Sequence, residues 1–230
     1  MSVRGRPRSF DREQALRSAM RVFWAKGYDA TQLAELTKVM NIKPPSFYAA
    51  FRSKEAIFRE AVELYLHSEG SASMRALASA ATTAEAIHGM LLASVDTVLA
   101  SPGANGCLLI LGLVNCEPDN VALQDYLRQI RQHTIQLIQS RLEDGVGKGE
   151  LPADADCKQL ANFYFTVIQG ISLQARDGAD RASLIKVGHR QTPHTEPQLD
   201  ELGFLRFGRR PWGGAVSALP SPPRSPAACH

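Results

Sequence analysis

Residues 31–51, TQLAELTKVMNIKPPSFYAAF, constrain this chain more than any other stretch. Leu33 and Leu36 are spaced as the inner face of one short helix, and Phe47 and Phe51 as the inner face of a second. Between them the chain turns around Asn41. Two short helices meeting across a tight turn form a helix-turn-helix, the unit that lays its second helix in the major groove of DNA.

The flanking residues extend this unit in both directions. Asp11 can cap a first helix, with Gln14 completing a capping-box pattern and Phe10 at the staple position. Leu16, Ala19, Met20 and Phe23 then give that helix one apolar face, while Lys26 and Gly27 supply its stop. Trp24 and Tyr28 read as core. Thr31 reads as the N-cap of the second helix, where its hydroxyl and the first-turn amides suit a phosphate. Pro44 and Pro45 open the third helix, a place where a missing N–H costs little. With Phe47 and Phe51 buried, Lys43, Pro44, Ser46, Tyr48 and Ala49 are left on its outer face, beside Pro45. Lys43 and Ser46 are donors for base edges, and Pro44 or Ala49 an apolar contact for a thymine methyl. Ser53 caps a fourth helix, and Lys54 in its first turn is placed as a phosphate clamp. Upstream, Arg4, Arg6 and Arg8 alternate with Gly5, Pro7 and Ser9 in an arm, residues 1–9, too poor in apolar residues to fold alone. Such an arm suits either solvent or the minor groove beside a docked domain.

The charge distribution fits this division. Residues 1–60 hold 12 Lys and Arg against 6 Asp and Glu, whereas residues 61–187 hold 9 against 14. A basic head on an acidic body suits one part that meets phosphate and another that does not. Hydrophobic residues make up 44% and charged ones 21%, the balance of a globular chain. No run of about 18 apolar residues occurs, and the basic N-terminus has no apolar segment behind it, so the expectation is a cytoplasmic protein with no membrane partner. His67, His88 and His133 have no companions at a metal spacing. No phosphate loop, nucleophile elbow or catalytic carboxylate pair is present, so neither metal, cofactor nor enzymatic activity is expected.

GYDAT, followed by LTKVMNIKPPSFYAAFRSKEAIFREAVELY, resembles the DNA-binding domain of the TetR family of transcriptional regulators over about residues 10–65. The resemblance implies an all-α fold: a three-helix helix-turn-helix domain (10–52) joined to a larger helical ligand-binding and dimerisation domain (53–187). It also implies that Thr31, Tyr48 and Lys54 bind backbone phosphates, and that the helix over 43–50 enters the major groove. The paired Pro44 and Pro45 depart from the single proline common there. A homodimer, a small-molecule effector and a double-stranded operator are the implied partners, the fourth helix carrying motion from the body to the head. GCLLI, ELPADAD and QGISLQARDGADRASL look like the ligand-sensing part of one branch of the same family.

Within the body, residues 70–83 are rich in Ala and Ser and read as loop or frayed helix. Thr83 reads as the cap of a helix over 84–99, residues 107–115 as a short buried helix, and 119–146 as a long one. Val121, Leu123, Tyr126, Leu127, Ile130, Ile135, Leu137, Ile138 and Leu142 are expected inward on the last. A further helix, from Asp154 or Asp156 to about Ala175, is apolar around most of its circumference, with Gly170 allowing close helix approach. The resemblance assigns it, with the residues that follow, to the dimer interface. The effector pocket is expected among Leu91, Val95, Leu109, Leu113, Tyr126, Phe163 and Val167. Cys107, Cys116 and Cys157 read as small buried apolar residues, and Cys107 and Cys116 leave open a redox- or electrophile-responsive repressor as the alternative. A helical ligand-binding protein without DNA recognition is the remaining alternative. Residues 188–230, with seven of the thirteen prolines, read as an atypical disordered tail, native or the product of a frame shift near Val187 that weakens the dimer.

Overall fold

The computed structural model describes residues 10–100, 106–113 and 117–189, with side chains through Lys186. Arg4, Arg6, Arg8, Cys116, Cys229 and the tail beyond residue 189 lie outside the described residues. The regular structure is helical throughout them.

Helix α1, Arg12–Lys26, starts where Asp11 Oδ1 accepts from the N–H groups of Glu13 (2.9 Å) and Gln14 (3.2 Å). It stops at Gly27, whose φ of 79° and ψ of 175° belong to a region that L side chains avoid. A Cβ at Gly27 would also lie 3.0 Å from the Gly112 carbonyl oxygen. Gly27→Ala is therefore expected to cost about 2 kcal/mol, combining backbone strain and that close approach. The corresponding fall in melting temperature is about 4–8 °C; an unchanged melting curve would contradict this role for Gly27.

Helices α2 (Leu33–Val39) and α3 (Pro44–Phe51) flank Asn41, which takes a φ of 53°, and Ile42 N–H closes the turn on Thr37 O at 3.0 Å. Helix α4, Lys54–His67, is capped by Ser53, whose Oγ accepts from Ala56 N–H at 3.0 Å. Thr31 does not cap α2. The cap residue is Gln32, and its side chain makes no capping bond. Thr31 lies one residue too early and is buried; its hydroxyl donates to Gly27 O at 2.6 Å and its N–H to Tyr28 O at 3.1 Å. The hydroxyl expected to face a phosphate instead closes the α1–α2 corner.

Several body elements differ from expectation. In the stretch read as loop or frayed helix, a 3-10 turn (Glu69–Ser71) and helix α5 (Ala72–Ser79) form. Helix α6, Thr83–Leu99, is capped by Thr82: its Oγ1 accepts from Glu85 N–H while the Glu85 carboxylate accepts from Thr82 N–H. Thr83 is held instead by the body, its N–H donating to Glu150 at 2.6 Å and its hydroxyl accepting from Arg141 at 3.0 Å. Helix α7 is the short segment Leu108–Leu111, and a 3-10 turn (Pro118–Asn120) precedes α8, Val121–Gly147. On α8, Leu123, Leu127, Ile138 and Leu142 are buried, but Val121 and Leu137 face outward. Helix α9, Cys157–Arg176, starts at Asp156, which accepts from Gln159 N–H at 2.9 Å, and α10 spans Arg181–His189.

One apolar cluster joins Phe23, Trp24, Phe47, Phe51, Phe58 and Tyr65 to Leu108, Leu113, Leu123 and Leu127. A second packs α5, α6, the later part of α8, α9 and α10 around Leu91, Val95, Ile138 and Ile171. Polar bonds tie the head to the body along the first cluster. Trp24 Nε1 donates to Gly106 O and Tyr28 N–H to Gly112 O, both at 2.7 Å, so the stretch carrying α7 grips the end of α1. Arg176 donates to Trp24 O (3.1 Å), Asn120 to Asp29 (2.6 Å) and Tyr126 Oη to Glu63 (2.6 Å).

Candidate nucleic-acid interface

Helix α3 is eight residues long and too short to hold itself together in water, so its placement depends on what it buries. Phe47 and Phe51 have no exposed surface, and their rings lie 5.7 Å apart. The Arg12 guanidinium sits 4.7 Å over the Phe51 ring and is fixed by Glu60 at 2.6 Å, which clamps α3 between α1 and α4. The opposite face is left to solvent: Lys43, Pro44, Pro45, Tyr48 and Ala49 are exposed, and Ser46 is half-buried. Lys43 is the N-cap residue and makes no capping bond. Pro44 and Pro45 stand at the first two positions, where the helix needs no N–H donor.

The cations of the head divide into two groups. Arg12, Arg17, Lys26 and Arg59 each pair with a carboxylate. Arg21 on α1, Lys43, Lys38 at the end of α2 and Arg52 just after α3 are exposed and, among the described residues, have no carboxylate within salt-bridge distance. Lys38 and Arg52 were not singled out by sequence. Their free charge beside the turn and the end of α3 becomes visible only once Arg12, Lys26 and Arg59 are seen to be paired. Lys54 is held differently: its Nζ lies 4.3 Å over the Tyr28 ring, and partial burial lowers its pKa against the opposing pull of Asp29 and Glu117. A lysine resting on an aromatic face keeps its donors for a further partner.

The body contains a cavity of about 70 Å³ between α4, α5, α6, α7, α8 and α9. Of the seven residues expected around a ligand, Leu109 lines it. Leu91 and Val95 are buried in helix packing, Leu113 and Tyr126 belong to the head-side cluster, Val167 packs on the second cluster, and Phe163 is 37% exposed on the outside of α9. An apolar stripe has one periodicity whether it faces a cavity or a neighbouring helix, which is why the expectation and the structure part here. Tyr65, Cys107 and Arg131 are among the lining residues outside those seven. Arg131 had a sequence signal, since it falls in phase with buried Leu127 and Ile138 on α8.

Cys107 accepts from Tyr65 Oη at 3.4 Å, and burial pushes its thiol pKa up despite that bond and nearby Arg131. Burial also raises the Cys157 thiol. Both shifts disfavour the reactive thiolate. Among the described residues, no three His, Cys, Asp or Glu side chains are grouped to hold a metal ion, and no helix is long and apolar enough to cross a membrane.

Residues 15–61 match the family model described as bacterial regulatory proteins, tetR family, and residues 84–186 match a tetracyclin repressor-like C-terminal domain. The HTH-type transcriptional repressor ComR of Escherichia coli K12 is 32% identical over 187 residues, covering 80% of this chain and 88% of ComR. The repressor BdcR of the same organism is 30% identical over 178 residues, covering 76% and 84%. A cysteine mutant of the TetR family regulator CifR, solved with 26-base-pair double-strand operator DNA, is 41% identical with a TM-score of 0.77, covering 80% of this chain and 97% of that one. Matches over both the helix-turn-helix head and the helical body, at this identity and coverage, show that the chain belongs to the TetR family of sequence-specific DNA-binding transcriptional regulators.

Proposed function

We propose that the protein is a homodimeric repressor that leaves a palindromic operator when a small molecule occupies its body. The observation that carries this reading is the outward face of α3, where Lys43, Pro44, Pro45, Ser46 and Tyr48 stand unopposed by any described part of the chain while Phe47 and Phe51 fix the helix from below. In this role Lys43 and Ser46 address base edges, Tyr48 and Lys54 hold the phosphate backbone, and Lys38 and Arg52 add phosphate contacts. Thr31 contributes by fixing the corner that positions α2. The repressor sign is taken from ComR and BdcR, which carry that name.

Release requires a ligand that prefers the subunit arrangement that does not fit DNA. The cavity supports such a ligand, because the stretch on its wall from Gly106 to Gly112 also holds Trp24 and Tyr28 of the head. The dimer is formed by α9, whose Phe163, Val167, Gly170 and Leu173 fall on one face; a Cβ at Gly170 would meet nothing within 4 Å in the single chain. A thiol-triggered mechanism gains no support from Cys107, whose thiol is held neutral by its surroundings.

Lys54→Ala tests the phosphate assignment. Operator affinity is expected to weaken by a similar factor for all operator variants, and the slope of log K against log salt to fall by about one contact. An unchanged slope removes Lys54 from the interface.

A further inference from the structure

The wall of the body cavity carries one charge that no described residue balances. The Arg131 guanidinium is half-buried, lines the cavity, and donates from Nη1 to Leu109 O at 2.8 Å. Among the described residues no carboxylate lies within salt-bridge distance of it. The Cys107 thiol is close enough to act on it electrostatically, but burial holds that thiol in its neutral form. A partly desolvated cation without a counter-charge is costly, and the cost is removed when an anion enters beside it. Guanidinium presents five N–H donors in a planar fork, which matches the two oxygens of a carboxylate.

The rest of the cavity narrows the choice. Thr97 and Thr134 spend their hydroxyl protons on Ala93 O and Ile130 O of their own helices, so Arg131 is the strong donor of this wall. Leu109, Ile110, Val98, Phe165 and Ile168 make much of the remaining lining apolar. At about 10–15 Å³ for each water-sized occupant, a cavity of this size takes about five to seven non-hydrogen atoms. Inorganic phosphate would fit by volume but would press its remaining oxygens against hydrocarbon.

Resting on the effector reading above, we infer that this cavity is a site for a short-chain monocarboxylate, its carboxylate on Arg131 and its alkyl tail against Leu109, Val98 and Phe165. The same guanidinium holds Leu109 O in α7, between the two carbonyls that accept from Trp24 and Tyr28. A carboxylate that draws Arg131 away from Leu109 O loosens the stretch that grips the end of α1.

Calorimetric titration of the full chain with propionate and butyrate, each against its amide, tests the inference. Butyrate is expected to bind at least about 10-fold tighter than butyramide, which has the same shape without the charge. Arg131→Met should abolish that preference, and Arg131→Lys should keep a weaker form of it, a rescue that separates charge from packing. Inorganic phosphate should not displace butyrate. Equal binding of acid and amide, binding of neither, or an undiminished preference in Arg131→Met overturns the inference. Operator binding measured in parallel separates it from the broader reading. Butyramide that binds and releases DNA keeps an effector cavity without an anion site, whereas butyrate that binds without altering DNA affinity keeps the anion site and removes its role as effector.

Discussion

Replacing Phe163 and Leu173 together by Asp is expected to leave each subunit folded and to reduce operator affinity by about 100-fold or more. Both side chains are on the outside of α9, 37% and 53% exposed, so their replacement removes little from the subunit core. In a pair of α9 helices packed face to face, the same change places carboxylates of both copies in a desolvated apolar seam. Splitting the dimer turns one two-headed binding event into two independent ones, and linkage of two heads contributes factors of about 10²–10⁴. Sedimentation at micromolar concentration should show a monomer with the circular dichroism of the unaltered chain. A double variant that remains dimeric would place the interface elsewhere.

Phe47→Ala is expected to have the largest effect on the head itself. The ring is fully buried under α3, 5.7 Å from Phe51, and its removal opens a cavity costing about 3–5 kcal/mol. An eight-residue helix has no reserve against such a loss. DNA binding should disappear, while the second apolar cluster, which contains no residue of α1, α2 or α3, keeps most of the helical signal. Melting followed by circular dichroism should show an early transition of small amplitude. Unchanged melting and unchanged DNA affinity together would contradict the placement of Phe47 as the anchor of α3.

The head was legible because its instructions are local. Asp11 and Gly27 bound α1, Asn41 makes the turn, Pro44 opens α3 and Ser53 caps α4, each through geometry or bonds within a few residues. Local rules failed where a distant partner decides between neighbours. Thr82 and Thr83 are equivalent as caps by sequence, but Arg141 and Glu150 occupy Thr83 and leave the cap to Thr82. Thr31 departs for another reason: its partner Gly27 O is local, but the packed α1–α2 corner buries the hydroxyl against it. Helix α5, poor in large apolar residues, rests on packing against α6 with Leu77 as its buried contact, which composition does not reveal. The pocket was the least legible feature. Periodicity points to seven apolar residues, whereas the cavity is marked by Arg131, a charge standing in phase with a buried stripe.

Selection of bound DNA from a random library by the full-length protein bears most directly on α3 as a paired reading element. The expected outcome is one enriched palindrome, with half-site centres about 34–36 Å apart or a multiple of that spacing, and protection lost in the Phe163 and Leu173 double variant. Enrichment of a single half-site without symmetry, or of no sequence at all, would contradict it.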